Sequence, residues 1–322
     1  FLNKRDRIVP ESAYGWHRFF FYPPEHYGWV VEVDPFTAKS KKLTALGRFG
    51  HEGANIALTS DGRPVVYMGD DGIDRCLYKF VGKYTGTLET GTLYVANIEK
   101  GIWIPLDIKK TASLQKYFKD QTEVLTYARE ASKIVGGTPL ARPEDVEYDP
   151  VSKEIFVALT KDKNKGNYFG SLLRLIEKDH DPGAIEFEAA VFLTGGEESG
   201  FACPDNMVFD RKGNLWLTGD MSEKDMGNAP YQKFKNNGLF FIPMNGPHAG
   251  SVFQVASAPV DAEFTGTSFS PDGKTLFISV QHPGERTQSL DQLTSHWPDG
   301  GNAIPRPSVV AISGPALEKI VS

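Results

Sequence analysis

The chain has 322 residues, 40% of them hydrophobic and 12% aromatic, which is enough core material for one large all-β domain or two ordinary domains. Its formal net charge is −6 at pH 7 and no basic stripe occurs. Neither a nucleic-acid-binding platform nor attachment to an anionic membrane is therefore supported, and the acidic balance suits cation binding better.

The cysteine content and the first residue of the chain are both informative. Two cysteines occur, Cys76 and Cys203, so the sequence predicts two buried thiols and no disulfide framework or Cys-x-x-Cys metal motif. The sequence starts at Phe1 without an initiator methionine, and it has no run of about eighteen apolar residues. It therefore predicts no membrane span and shows no signal peptide, and we expect that a segment was removed upstream of Phe1.

Short β-branched and aromatic runs, separated by turns rich in Asp, Gly and Pro, recur along the chain and predict strands and hairpins. In chain order the clearest strands are 28–33, 65–67, 76–80, 91–96, 155–157, 171–175, 215–217, 238–242, 276–278 and 308–312. Helix formers predict one helical insertion around 111–136, and the polar stretches 221–235 and 284–301 are predicted loops. These elements predict an all-β β-propeller in a single domain, 1–322.

Four of the hairpins are variants of one repeat, at 51–67, 142–157, 203–217 and 265–278. Three of them carry an acid just ahead of the first strand, namely Glu52, Glu144 and Asp205, whereas the fourth has Thr265. Acids at matching places in successive repeats can converge on one axis. Because hard cations such as calcium take six to eight oxygen ligands, such convergence predicts a polyanionic metal site.

The residues alone leave other interpretations open. Glu52 could be a solvated turn acid, and the adjacent acids Asp70 and Asp71 at a strand end are typical of a turn. Glu285 follows Pro-Gly and could be an exposed turn residue. Arg142 could be a surface cation or an ion-pair partner of one of the acids. His51 and His282 could be structural, could be metal ligands themselves or could hydrogen-bond a metal ligand, while Cys203 is predicted to pack in the core.

Several motifs are spread over nearly the whole chain: Gly28–Phe36, Thr44–Phe49 with His51–Ala54, Tyr67–Asp71, Tyr78–Val81, Arg142–Asp145, Pro204–Asn206 and Gln281–Glu285. In this order they resemble motifs of the PhoX-type alkaline phosphatases. The resemblance implies a six-bladed propeller that hydrolyses small phosphomonoesters and releases phosphate, with calcium and iron in a central site and a metal-bound oxygen as nucleophile. It also implies export by the twin-arginine route to the periplasm or the cell exterior, and we expect a monomer.

The resemblance also implies roles for individual residues. Glu52, Glu144 and Glu285 match acidic metal ligands of the family, and Asp70, Asp71 and Asp205 lie in acidic motifs of the same kind. Arg142 matches an arginine able to hold the phosphate, so Arg142 and Glu144 are the expected catalytic residues. No serine-nucleophile motif such as Gly-x-Ser-x-Gly occurs, in agreement with metal-assisted rather than covalent serine chemistry.

Two departures from the family pattern keep rival functions open. The family has an upstream Cys-Glu-Glu segment whose cysteine binds iron, and this chain begins after the point where that segment would end. The family's Thr-Asn-Asn is replaced by Thr160-Lys161-Asp162. The iron site, and part of the six blades, would therefore need residues outside this sequence. The rivals are a calcium-dependent propeller of another hydrolase class, a lactonase or phosphotriesterase, and a non-catalytic homologue.

Overall fold

The structure is a computed structural model, and it describes residues 23–321. Twenty strands are present in this range: β1 Val31–Val33, β2 Ser40–Lys42, β3 His51–Leu58, β4 Pro64–Asp70, β5 Ile73–Arg75, β6 Leu77–Gly82, β7 Gly91–Asn97, β8 Ile102–Pro105, β9 Leu140–Ala141, β10 Pro143–Tyr148, β11 Ile155–Leu159, β12 Ser171–Glu177, β13 Phe187–Thr194, β14 Pro204–Phe209, β15 Leu215–Gly219, β16 Gly238–Ile242, β17 Phe253–Ser257, β18 Glu263–Phe269, β19 Thr275–Gln281 and β20 Ser308–Ser313.

Helices are few. The α-helices are α1 Gln121–Thr126, α2 Ala128–Val135 and α3 Pro315–Val321, and short 3-10 turns cover Pro24–His26, Thr44–Leu46, Leu114–Lys116, Lys163–Lys165 and Lys178–His180. Both α1 and α2 lie inside the stretch 111–136. The Asp120 side chain caps α1 by accepting from the backbone N–H of Glu123, and α2 stops at Gly136, which adopts the left-handed conformation.

The larger sheets are meanders whose neighbouring strands follow the chain. Their orders are β3-β4-β6-β7-β8, β10-β11-β12-β13, β14-β15-β16-β17 and β18-β19-β20, while β1-β2 and β5-β9 form two small pairs. Consecutive sheets of this kind are the blades of a β-propeller, so the predicted all-β propeller class is confirmed. Four blades are found among the described residues, and the expected number of six is not confirmed.

The described chain divides into two compact units. The first contains the residues up to Tyr148 together with Leu175–Ala189, and the second contains Asp149–Arg174 together with the residues from Ala190 onward. The single domain predicted over 1–322 stays a prediction, and its residues 1–22 and 322 lie outside the described range. No helix in residues 23–321 is both long enough and apolar enough to cross a bilayer.

The first unit has its core between the five-stranded sheet and the helices. Strand β4 is buried along its whole length and pairs with β3 on one side and β6 on the other. Its Val66 and Met68 pack in one cluster with Val124 of α1 and Ala128 of α2. The helical insertion therefore closes one face of the sheet, and the end of β4 is held rigidly where the candidate site begins.

Three hydrophobic clusters are found among the described residues of the second unit. One joins Trp216 of β15 to Phe264 and Leu276 of β18 and β19, a second surrounds Leu217 and Phe240, and a third contains Cys203. The predicted thiol burial is seen in both units, since Cys76 and Cys203 are buried free cysteines. Burial raises the pKa of each thiol to about 12, so both act as packing groups at neutral pH.

Candidate metal centre

Three carboxylates of the first unit converge on one point. One oxygen from each of Glu52, Asp71 and Glu144 lies within 4.8 Å of the other two. Glu52 is the second residue of β3, Asp71 directly follows β4, and Glu144 is the second residue of β10. The chain therefore brings together three of the acids that the sequence singled out.

Two glycines explain how the three strands approach so closely. Gly69 of β4 pairs with Glu52 of β3, and a Cβ atom at Gly69 would lie only 2.3 Å from the carbonyl oxygen of Pro143. Any side chain at this position would push β10 away from β4. Gly53 has a φ of 70°, and its Cβ would lie 2.7 Å from Oδ1 of Asp145. Glycine at both positions lets Glu144 come within reach of Glu52.

Arg142 supplies the positive charge at the centre. Its Nε and Nη2 donate to Oδ1 and Oδ2 of Asp71 at 2.9 and 3.0 Å, and Nη2 also donates to Oε1 of Glu144. Its backbone φ is 55°, which is uncommon for a residue with a side chain. Such strain is kept where the surroundings fix a residue, and here it separates the short strand β9 from β10 and turns the guanidinium toward the acids.

The centre is electrostatically unbalanced toward negative charge. Burial, together with the nearby charges of Asp71 and Asp145, raises the pKa of Glu52 to about 7 against the opposing effect of Arg142. Burial, with a contribution from Asp145, likewise raises the pKa of Glu147 to about 8. One guanidinium does not neutralise these acids, so the site favours protons or cations.

The donor set fits a hard cation. Carboxylate oxygens are the ligands preferred by calcium, and anionic oxygen also suits ferric iron. The three converging oxygens would supply part of a calcium shell of six to eight ligands. Raised carboxyl pKa values are what clustered ligands show without their cation, so the geometry and the charge both fit a metal.

Asp70 is placed differently from its neighbour Asp71. Its side chain is fully buried, where Oδ2 accepts from Nε of Arg129 at 2.7 Å and Oδ1 accepts from the backbone N–H of Gly50 at 3.0 Å. Burial raises the pKa of Asp70 above its usual value, and the Arg129 guanidinium offsets only part of this shift. Asp70 thus joins β4 to helix α2, and its role as a metal ligand stays a prediction.

The two remaining acids lie in the second unit. Asp205 is a partly buried residue of β14, and Glu285 lies in the turn that follows β19. Glu285 contacts a ring nitrogen of His282 at 3.1 Å. The pKa of Glu285 is raised, mainly by burial, and His282 opposes this shift. The metal-ligand roles of Asp205 and Glu285 also stay predictions.

His51 is a structural residue in this arrangement. Its ring stacks on Phe49 with centroids 3.7 Å apart, and Nε2 lies 3.0 Å from the carbonyl oxygen of Gly47. Burial lowers the pKa of His51 to about 4, so the imidazole is neutral at pH 7.

Four charged residues near the predicted ligands were missed by sequence reasoning. Asp145 and Glu147 lie on the same strand as Glu144, and the acidic run Glu144-Asp145-Val146-Glu147 was an available signal. Arg129 and Glu263 gave no comparable signal, because their partners are distant in the chain. Asp70 is 59 residues from Arg129, and Gln281 is 18 residues from Glu263.

Comparison with known proteins identifies the family of the chain. The family model described as alkaline phosphatase PhoX matches residues 3–284. A solved structure of Pseudomonas fluorescens PhoX in complex with vanadate, a transition state analogue, is 32% identical with a TM-score of 0.83, and the match covers 92% of this chain and 60% of that one. The chain thus spans about 60% of the length of that PhoX.

More distant matches are weak. A periplasmic gluconolactonase of Pseudomonas aeruginosa is 12% identical with a TM-score of 0.35, over 78% of this chain and 70% of that chain. No curated protein sequence gave a significant match. The PhoX family model and the Pseudomonas fluorescens structure each cover most of the chain, which therefore belongs to the PhoX alkaline phosphatase family.

Proposed function

We propose that this protein is a metal-dependent alkaline phosphatase that hydrolyses small phosphomonoesters and releases inorganic phosphate. The observation that carries the proposal is a strained arginine, Arg142, held beside three converging carboxylates in a chain of the PhoX family. The vanadate complex of Pseudomonas fluorescens PhoX supports a phosphoryl-transfer site.

Arg142 is the proposed phosphate-binding residue. Phosphoryl transfer requires that charge on three equatorial oxygens be stabilised and that the ester be held in line with the attacking group. A guanidinium meets the first need with two parallel N–H donors, the geometry that Arg142 already uses on Asp71. The same fork fits two oxygens of a phosphoryl group, so Arg142 would both bind the ester and orient it.

Glu52, Asp71 and Glu144 are the proposed ligands of the cation next to Arg142. When bound, a metal ion polarises phosphoryl oxygens and lowers the pKa of a water molecule. Calcium and iron are the proposed ions, with Asp70, Asp205 and Glu285 as further proposed ligands. Because the pKa of Glu52 is about 7, the carboxyl group is partly protonated at neutral pH, and binding of the cation would release that proton.

The family also suggests where the protein works. Exported phosphatases act on phosphate esters outside the cytoplasm, and we propose a periplasmic or extracellular monomer exported by the twin-arginine route. Size-exclusion chromatography with light scattering, and fractionation of the source cells, test these two statements separately.

The central test combines activity with metal content. The purified protein, supplied with calcium and iron, is expected to hydrolyse p-nitrophenyl phosphate and to leave lactones and phosphotriesters intact. Elemental analysis should find calcium together with iron. Glu144→Gln should lose metal and at least about a hundredfold in activity, whereas the exposed control Glu89→Gln should keep both. Metal and activity retained by Glu144→Gln would remove this glutamate from the site.

A further inference from the structure

A histidine of the second unit lies between two glutamates. Nε2 of His282 is 3.2 Å from Oε1 of Glu263, and Nδ1 of the same ring is 3.1 Å from Oε2 of Glu285. Glu263 is buried, whereas the Glu285 side chain is 40% exposed. The imidazole thus connects an anchored carboxylate to one that is free to receive a ligand from solvent.

The buried end of this chain of contacts is firmly held. Glu263 is the first residue of β18 and pairs with Gln281 of β19, whose Nε2 donates to the same oxygen, Oε1, that faces His282. A buried carboxylate needs such donors to offset its lost hydration. Glu263 therefore fixes one side of the His282 ring.

The turn that follows β19 fixes the backbone on both sides of Glu285. His282 has a φ of 36°, and Gly284 has a φ of 76°. Beyond Glu285, Nε of Arg286 donates to Oδ1 of the buried Asp261 at 2.6 Å. The backbone around Glu285 is held, so the rotamer of its side chain is the freedom that remains.

The contacts show that His282 acts as a bridge. Its two ring nitrogens flank the same carbon, Cε1, and each faces a different glutamate: Nε2 faces Glu263 and Nδ1 faces Glu285. Nδ1 is buried and makes no hydrogen bond of good geometry with the described residues, which leaves it available to the carboxylate of Glu285.

We infer that His282 is a positioning residue that holds the Glu285 carboxylate in the orientation needed to bind a divalent cation. The inference rests on the proposed function, because it takes Glu285 as one of the calcium ligands. Partners that orient a ligand from behind reduce the entropy lost when the metal binds, and their removal commonly weakens metal affinity 10- to 100-fold.

The test uses the two amides that imitate the two ring nitrogens. Asparagine places an amide N–H₂ near the position of Nδ1, so His282→Asn keeps a donor toward Glu285. Glutamine places its amide near Nε2, so His282→Gln keeps only the donor toward Glu263. Isothermal titration with calcium should show affinity about tenfold or more weaker for His282→Gln and His282→Ala, and within about threefold of wild type for His282→Asn. His248→Ala, an exposed histidine of the same unit, is the control.

A double-mutant cycle shows whether His282 acts through Glu285. In the Glu285→Gln background, His282→Ala should cause no further loss of calcium affinity. Additive losses of calcium affinity, or equal calcium affinity for His282→Asn and His282→Gln, would overturn the inference about His282. The proposed function would still be supported if the wild-type protein binds calcium and cleaves phosphomonoesters. A wild-type protein that binds no calcium would overturn both.

Discussion

Arg142 is the residue on which the proposed chemistry depends most directly. It donates to both Asp71 and Glu144 from a backbone conformation that few residues with side chains adopt. Lysine carries the same charge but has a single ammonium group, so it cannot reproduce two parallel donors. The geometry of Arg142, more than its charge, is therefore what suits it to a phosphoryl group.

For this reason Arg142→Lys should weaken phosphate binding while leaving the metal ligands in place. We expect the inhibition constant for inorganic phosphate to rise at least about tenfold, the size of a lost charge-assisted hydrogen bond. Phosphate inhibition of p-nitrophenyl phosphate hydrolysis measures this, and elemental analysis checks the metal. Arg306→Lys removes a comparable Nε and Nη2 fork onto the exposed Asp299 and should change neither quantity. An unchanged inhibition constant would exclude the role given to Arg142.

Glu52 makes the stability of the metal-free protein depend on pH. Its pKa is raised from 4.5 to about 7, mainly by burial and then by Asp71. The unfolded chain therefore releases this proton near pH 4.5, whereas the folded chain keeps it until about pH 7. The free energy of unfolding should fall as the pH rises through this window and level off above it.

Thermal unfolding in EDTA at pH 5 to 8 tests this sign. We expect the melting temperature of the wild type to decrease across the window, and that of Glu52→Gln to decrease less, because the amide does not titrate. Glu147, whose pKa is raised to about 8, contributes in the same direction, so some slope should persist in Glu52→Gln. Added calcium should flatten the wild-type profile. A wild-type melting temperature that rises with pH would contradict the assignment.

At the level of elements, the decisive contact is between β4 and β10. Glu52 lies opposite Gly69 in the β3–β4 ladder. The carbonyl group of Pro143 occupies the space that a side chain at position 69 would need. A single methyl group there has no space, since it would approach the Pro143 oxygen to 2.3 Å. The distance between Glu52 and Glu144 is therefore set by a glycine that is not itself a ligand.

Gly69→Ala should separate the two strands. We expect a loss of about 2 kcal/mol or more in the free energy of unfolding, as for other overpacked sites, together with weaker calcium binding. Gly86→Ala is the control: it adds a methyl group in open space at a φ of 71°, so it should cost about 1 kcal/mol of backbone strain and leave calcium affinity unchanged. Urea unfolding and calcium titration of both variants give the comparison, and equal calcium affinity in Gly69→Ala and wild type would contradict the packing argument.

Local signals carried most of the fold prediction. The Asp- and Gly-rich turns expected between strands are present, for example at Asp61-Gly62, Lys212-Gly213 and Asp272-Gly273, and each glycine has the positive φ that such turns require. The centre was less predictable. Side chains alternate along a strand, so the adjacent acids face different partners: Asp70 contacts Arg129 and Asp71 contacts Arg142. Which acid takes which partner depends on where the strand ends, and the sequence does not fix that position.

The repeat itself was only partly visible from sequence, because β-bulges shift its positions. The register shifts after Glu52 in β3 and after Thr265 in β18, so these two residues match. In β14 the shift begins at Pro204, which places Asp205 inside the bulge, one residue later. A bulge re-aims the side chains next to it. Hydrophobic alternation does not encode this displacement, so equivalent acids in sequence are not equivalent in structure.

At the scale of the whole molecule, the first unit includes a segment far along the chain, Leu175–Ala189. Glu177 attaches this segment through one buried carboxylate. Its oxygens accept from the Tyr67 hydroxyl at 2.6 Å, from Nε1 of Trp103 at 2.9 Å and from Nζ of Lys79 at 2.5 Å. The Lys79 and Glu177 side chains are 0% and 1% exposed. Burial raises the pKa of Glu177 and lowers the pKa of Lys79, and the attraction between the two charges opposes both shifts.

Removing one member of this pair should destabilise the unit much more than removing an exposed pair. Lys79→Met leaves the Glu177 carboxylate buried without its counter-charge, and we expect a loss of about 3–5 kcal/mol in the free energy of unfolding. Lys41→Met removes exposed ion pairs with Glu32 and Glu89 and should cost less than about 1 kcal/mol. The double variant Lys79→Met, Glu177→Gln should recover part of the loss, because no unpaired charge remains. Urea denaturation of the three variants measures these differences, and a Lys79→Met protein as stable as Lys41→Met would show that the buried pair does not hold the segment in place.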